Sequence, residues 1–284
     1  MTKTEFRRLC GFFILLSCLF PSCHRETAMS IPPSEFTKDQ RETLGQIVEK
    51  SIASNTSSFQ LLPNEAPYDT SVYWFIQTLY DQATNVMRVD HQSPNDNRWS
   101  SDRSWKVHVL VSDEINAFVI PGGDFYITTG FLLTMSEEYE LYYVLSFEAN
   151  LMNEGLLLER LFSEINSNKL TDVVARNLGP DNEDVTKITR TISNLAFFPE
   201  EVYENDQYAV NTICNTAQWS RFGLLPILET FDDNMEWLTY RPSYDERGEW
   251  LMNFQPASLA DCGIVKTNNP SGEGYQRYVL DHLN

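Results

Sequence analysis

Glu148 stands between Phe147 and Leu151 in the run Ser146 to Gly155, SFEANLMNEG. Residues four apart share one face of a helix. Two imidazoles so placed, with a glutamate between them, grip one zinc ion while the acid polarises its water. Here that face carries a phenyl ring and an isobutyl group, and Glu148 has no imidazole beside it. The chain has four histidines, His24, His91, His108 and His282, and no simple shift of register brings a pair of them to this helix. A carboxyl group in apolar surroundings is expected to titrate high unless a cation pairs with it.

The elements that must position Glu148 can be read from periodicity. A helix is expected over about Lys38 to Ala53, with Leu44, Ile47 and Val48 on one side, and another over Asp69 to Val89, with Val72, Phe75, Ile76 and Leu79 at i, i+3, i+4 and i+7. WKVHVLV then alternates, so Trp105, Val107, Val109 and Val111 share one face of a strand. His108 points to the other face, where one histidine reads as a packed or surface residue rather than a ligand. Pro121-Gly122-Gly123 makes a turn between two short strands, and FYITTG returns antiparallel. Ser136, followed by Glu137 and Glu138, starts the long helix that bears Glu148, with acids in its first turn.

This stretch resembles the HExxH metallopeptidases of family M48. The family wording is close to NAF-x-x-PGG-x-x-Y-x-TTG-L followed by E-x-EL-x-x-VL-x-HE-x-x-H. Asn116, Ala117, Phe118, Pro121, Gly122, Gly123, Tyr126, Thr128, Thr129, Gly130, Glu138, Glu140, Leu141, Val144, Leu145 and Glu148 match it without a gap. Downstream, Glu204-Asn205-Asp206 occupies the place of an E-x-D pattern whose glutamate is the family's third zinc ligand. Tyr240-Arg241-Pro242, followed by Arg247, resembles a later phrase in which a histidine and an arginine contact the transition state; Arg241 replaces that histidine. The likeness spans roughly residues 69 to 251. It implies an α+β, mostly helical fold: a small gluzincin domain with a short antiparallel sheet packed on the active-site helix.

The resemblance assigns Glu148 to the general-base position, Arg241 and Arg247 to transition-state positions, and Phe147, Leu151 and Glu204 to the metal-ligand positions. A catalytic zinc site needs about three protein donors plus a water, and of these three positions only Glu204 can donate. Two carboxylates without imidazole favour hard, weakly held ions such as calcium or magnesium. No cofactor is expected, and zinc belongs only to the alternative of an active metalloendopeptidase with an atypical metal site, which would rest on Glu148, Glu204, Asp206 and Arg247. Phe147 and Leu151 are expected to fill the place of metal and water, and Arg241 to lie near Glu148 or Glu204. The strand edge at Asn116, Ala117 and Phe118 is the family's substrate-binding edge, able to add an extended chain through backbone hydrogen bonds.

The formal charge of −19 argues against nucleic acid or anionic lipid as a partner, since both are held by an excess of Lys and Arg. Residues 200 to 250 hold eleven acidic and three basic side chains, which reads as a solvated surface. At the N-terminus, Lys3, Arg7 and Arg8 precede GFFILLSCLF, too short to span a bilayer and typical of an export signal. Cys23 follows Ser22 at its end, and Leu15-Leu16-Ser17-Cys18 is closer to lipobox wording. Acylation at Cys23, or at Cys18, would give an exported lipoprotein on the periplasmic side of a bacterial membrane; plain secretion is the alternative. The organisation expected is a signal over 1–23, a Pro- and Ser-containing tether over 24–38 and the peptidase-like domain over 39–284. Cys214 and Cys262 can form a disulfide or remain two buried thiols. The function expected is that of a catalytically inactive homologue binding extended polypeptides or envelope proteins, in quality control or assembly. A purely structural lipoprotein is a further alternative.

Overall fold

A computed structural model describes residues 33–64, 71–90, 105–215, 247, 249 and 271–283. The lipidation candidates Cys18 and Cys23, the transition-state candidate Arg241, and Cys262 lie outside them. The first helix, α1 (Lys38–Ser54), begins where a capping box stops the chain from fraying: Thr37 Oγ1 accepts from Gln40 N, and Gln40 Oε1 accepts from Thr37 N. Ahead of it, Pro33–Glu35 forms a 3-10 turn and Phe36 is buried edge-on against Phe162, 5.3 Å between ring centres. The folded body therefore takes in the last residues of the stretch expected as a tether.

Helix α2 (Val72–Asp90) leads to three short strands, β1 (Val107–Leu110), β2 (Ala117–Val119) and β3 (Phe125–Thr128), in the spatial order β1-β3-β2. The hairpin β2–β3 is antiparallel, as the sequence implies, but β1 runs parallel to β3. The sheet is therefore mixed rather than antiparallel. What fixes β1 there is its outer edge. Val107 N donates to Gln77 Oε1 at 2.9 Å and Gln77 Nε2 donates to Trp105 O at 2.9 Å, while Leu62 N and Val111 N pair with Val109 O and Gln60 O. Side-chain amide and an extended segment together satisfy backbone groups that an open edge would leave unpaired.

After β3 come α3 (Thr129–Thr134), α4 (Glu138–Asn153), α5 (Leu156–Glu164), α6 (Ser167–Ala175), α7 (Glu183–Ser193) and α8 (Pro199–Asn215), with helical turns at Ser271–Tyr275, Gln276–Leu280 and Asp281–Leu283. The described architecture is thus α+β and mostly helical. Side chains alternate across the sheet. Val107, Val109, Ala117, Val119, Phe125 and Ile127 pack with α2, α4 and α8, whereas Leu110, Phe118, Ile120 and Tyr126 pack with α1 and α5 to α7. The sheet is the middle layer, and His108 faces the second side. Val111, expected on the first face, lies past the end of β1 and is exposed. No helix among the described residues is long and apolar enough to cross a membrane.

The matched motif residues hold this frame together. Gly122 and Gly123 both have φ of 93°, and Gly123 N closes the turn on Ile120 O at 2.9 Å; a Cβ on Gly123 would lie 2.0 Å from the Trp105 ring. Thr128 Oγ1 donates to Glu114 O at 2.5 Å and caps α3 through Phe131 N, and Thr129 Oγ1 donates to Ser112 O at 2.9 Å. Glu140 Oε2 accepts from Ser136 N and Glu137 N, so the long helix is capped at Glu137 rather than at Ser136. Cys214, buried on α8, is disulfide-bonded.

Candidate functional site

Every residue of α4 from Glu140 to Asn153 is buried, so this stretch has no solvent face and packs in the core with the sheet and α8. Phe147 and Leu151 are fully packed within the larger apolar cluster. The Phe147 ring meets Tyr143, one turn earlier, with 6.0 Å between ring centres. Burying such side chains is worth roughly 1.5–3 kcal/mol each, so the face that could have carried two imidazoles contributes to folding instead. Glu148 itself is 2 % exposed. It lies near the sheet: the Tyr80 phenol, which donates to Gly123 O at 2.7 Å, is pushed well above its ordinary range by burial first and then by the charges of Asp124, Glu148 and Asp81.

Helix α8 presents Val202, Asn205, Asp206, Ala209, Val210 and Ile213 to the core. Glu204 is on the opposite side of the helix, exposed, where Tyr208 Oη reaches its Oε1 at 3.5 Å. The structure therefore does not bring Glu204 to Glu148. Positions two apart on a helix are about 200° apart, so only one acid of the Glu204-Asn205-Asp206 trio can face inward, and it is Asp206.

Asp206 is part of a buried polar cluster. Arg247 Nε donates to Asp206 Oδ2 at 2.9 Å and Nη2 to Oδ1 at 2.7 Å, and both side chains are wholly excluded from solvent. Tyr143 Oη donates to Asp206 Oδ1 and accepts from Arg247 Nη2. Burial alone would lower the Arg247 pKa; the Asp206 charge and the Tyr143 contact overcome it and hold the guanidinium charged, above its ordinary value. Its carbon sits 5.6 Å from the centre of the Phe147 ring. Arg247, expected at a transition-state position, is thus committed to a carboxylate and a phenol. Nη1 remains buried without a hydrogen-bond partner. Asn205 Nδ2 donates to Phe147 O at 2.8 Å and ties the two helices together there.

The substrate-edge candidates are placed as follows. Ala117, Phe118 and Val119 form β2 at the edge of the sheet, yet their exposure is 1–5 %. Asn116 Nδ2 donates to Ser193 O at 2.9 Å at the end of α7, and Asn116 N donates to Thr128 Oγ1 at 3.1 Å. The edge is covered, and Asn116 is engaged in holding it.

Sequence reasoning missed two groups. Tyr143 is one helical turn before Phe147, and a tyrosine at that spacing on a buried face needs a partner for its hydroxyl, which was the available signal. Glu49 and Asp124 lie near His108, and no spacing in the sequence foretells that meeting. Set against protein-family models and against curated proteins, the chain matches none.

Proposed function

We propose that this chain is a non-hydrolytic relative of the M48 gluzincin metallopeptidases, an exported lipoprotein that works by holding polypeptides rather than cutting them. One observation carries the reading: Phe147 and Leu151 fill, with hydrocarbon and within the core, the two helical positions flanking Glu148 where metal-binding imidazoles would stand. Glu204, the remaining donor at a ligand position, turns to solvent. Asp206 and Arg247, the polar residues an active site would draw on, neutralise each other. The gluzincin assignment is supported by a small sheet against a buried helix and by the motif-matching turn, threonines and Glu140, each of which has a folding role independent of catalysis.

The covered edge of β2 favours a second reading, a structural lipoprotein, because strand addition needs backbone groups open to the incoming chain. The test has two parts. Full-length protein in detergent is incubated with unfolded casein, with and without chelator, and used to capture envelope proteins. The proposal expects no chelator-sensitive cleavage and a defined polypeptide partner. Cleavage that disappears with chelator and in Glu148→Gln would sink the non-hydrolytic reading, and failure to capture any partner would leave the structural one.

A further inference from the structure

On the opposite side of the sheet from Glu148, three side chains with metal-binding donors converge from three elements. Glu49 comes from α1, His108 from β1 and Asp124 from the turn between β2 and β3, and one donor atom of each lies within 4.8 Å of the other two. His108 Nε2 is 3.8 Å from Asp124 Oδ2. That is too long for a hydrogen bond. It is near the separation of about 3.3 Å that two donors adopt when each is ~2.0–2.1 Å from a tetrahedral ion. Nε2 is buried and has no hydrogen-bond partner, although the side chain as a whole is 18 % exposed. A buried polar atom of this kind ordinarily has a partner.

The donors are also held from behind. Asp124 Oδ1 accepts from Lys106 N at 3.0 Å, and Oδ2 is the oxygen turned toward the histidine. The His108 ring lies nearly flat on Tyr126, 4.5 Å between centres and 15° between planes, and Tyr126 stacks in turn on Phe118 at 5.1 Å. Outer contacts that fix donor direction are a usual part of ion sites. A neutral imidazole with two carboxylates supplies two negative charges, matching a divalent cation, and mixed nitrogen and oxygen donors suit borderline ions such as zinc. Glu49 and His108 are partly exposed while Asp124 is buried.

We propose that Glu49, His108 and Asp124 bind a divalent cation of zinc-like chemistry, which ties α1 to the sheet. The site does not depend on the state of the Glu148 region. The test is zinc titration by calorimetry on the full chain in detergent, freed of metal by dialysis against chelator, followed by thermal unfolding with and without zinc. Wild type is expected to take up about one equivalent at this site and to gain several degrees in Tm. His108→Ala and Glu49→Gln should each weaken that uptake by about tenfold or more and abolish the gain, while Glu148→Gln changes neither. Glu49→Gln, at a partly exposed position, keeps the test informative if His108→Ala does not fold. No uptake by wild type, or uptake unchanged in both variants, overturns this proposal and leaves the closed-pocket reading standing. Uptake lost in Glu148→Gln but kept in His108→Ala would put the ion beside α4 and overturn both.

Discussion

Arg247 and Asp206 meet as a fork, Nε on Oδ2 and Nη2 on Oδ1 at 2.9 and 2.7 Å, with no solvent access to either side chain. Removing one member of such a pair strands the other charge in the core, at a cost of about 3–5 kcal/mol. Arg247→Met should lower unfolding stability by that amount, read from the urea midpoint. Arg247→Met combined with Asp206→Leu should be less damaging than the sum of the single changes, because it leaves neither charge unpaired. Additive losses in the double-mutant cycle would show that the pair is not coupled.

Phe147→His with Leu151→His puts two imidazoles on one face of α4, flanking Glu148. Because Glu204 is on the outer side of α8, its carboxylate does not face them. The double variant should lose several kcal/mol of stability through core disruption and gain no tight, stoichiometric zinc at α4. Equilibrium dialysis against zinc, in a His108→Ala background to exclude the other cluster, checks this; a new high-affinity equivalent would show that a donor reaches the face after all.

Gly45 lies where α1 passes close against the β2–β3 turn. A Cβ there would stand 1.8 Å from Pro121 O, and both parties are backbone, so neither can swing away. Gly45→Ala should destabilise by at least about 1–3 kcal/mol through overpacking, despite alanine's advantage of up to about 1 kcal/mol in a helix interior. A chemical denaturation midpoint at or above that of wild type would contradict the packing described.

Buried phenols make stability fall in alkali. Burial, with Glu140 and Glu137 adding to it, pushes Tyr139 up to about 12; burial raises Tyr142 and, with the Glu140 charge, Tyr275, and burial with Asp124, Glu148 and Asp81 raises Tyr80. Above pH ~10 the unfolded chain releases these protons while the folded one keeps them. The folded state then binds more protons, and the slope of unfolding free energy against pH is negative. Urea midpoints should hold up to pH ~10 and drop beyond it, with tyrosinate absorbance appearing together with unfolding. Full phenol ionisation with retained tertiary signal would refute the burial.

Much of the frame was legible because period and turn chemistry act locally. Leu44, Ile47 and Val48 marked the inner face of α1, and Pro121-Gly122-Gly123 marked a turn that only glycine geometry allows. The parallel placement of β1 was not legible, since it depends on Gln77 and on Gln60 to Leu62 supplying partners from distant sequence. The inward face of α8 could have been found: Val202, Ala209, Val210 and Ile213 form an apolar stripe that includes Asp206 and excludes Glu204. The E-x-D pattern pointed to Glu204, and it is Asp206 that the helix turns inward. The His108 cluster was out of reach, because its members are brought together by the stacking of a helix on a sheet and by nothing in their spacing.

Glu140 to Asn153 form an unbroken buried stretch of helix. Its amide protons should be among the slowest to exchange with deuterated solvent, released through global rather than local opening. With exchange through global opening alone, a molecule that is to touch Glu148 waits for the event that melts the domain, and the acid is thermodynamically remote in a chain that still carries it.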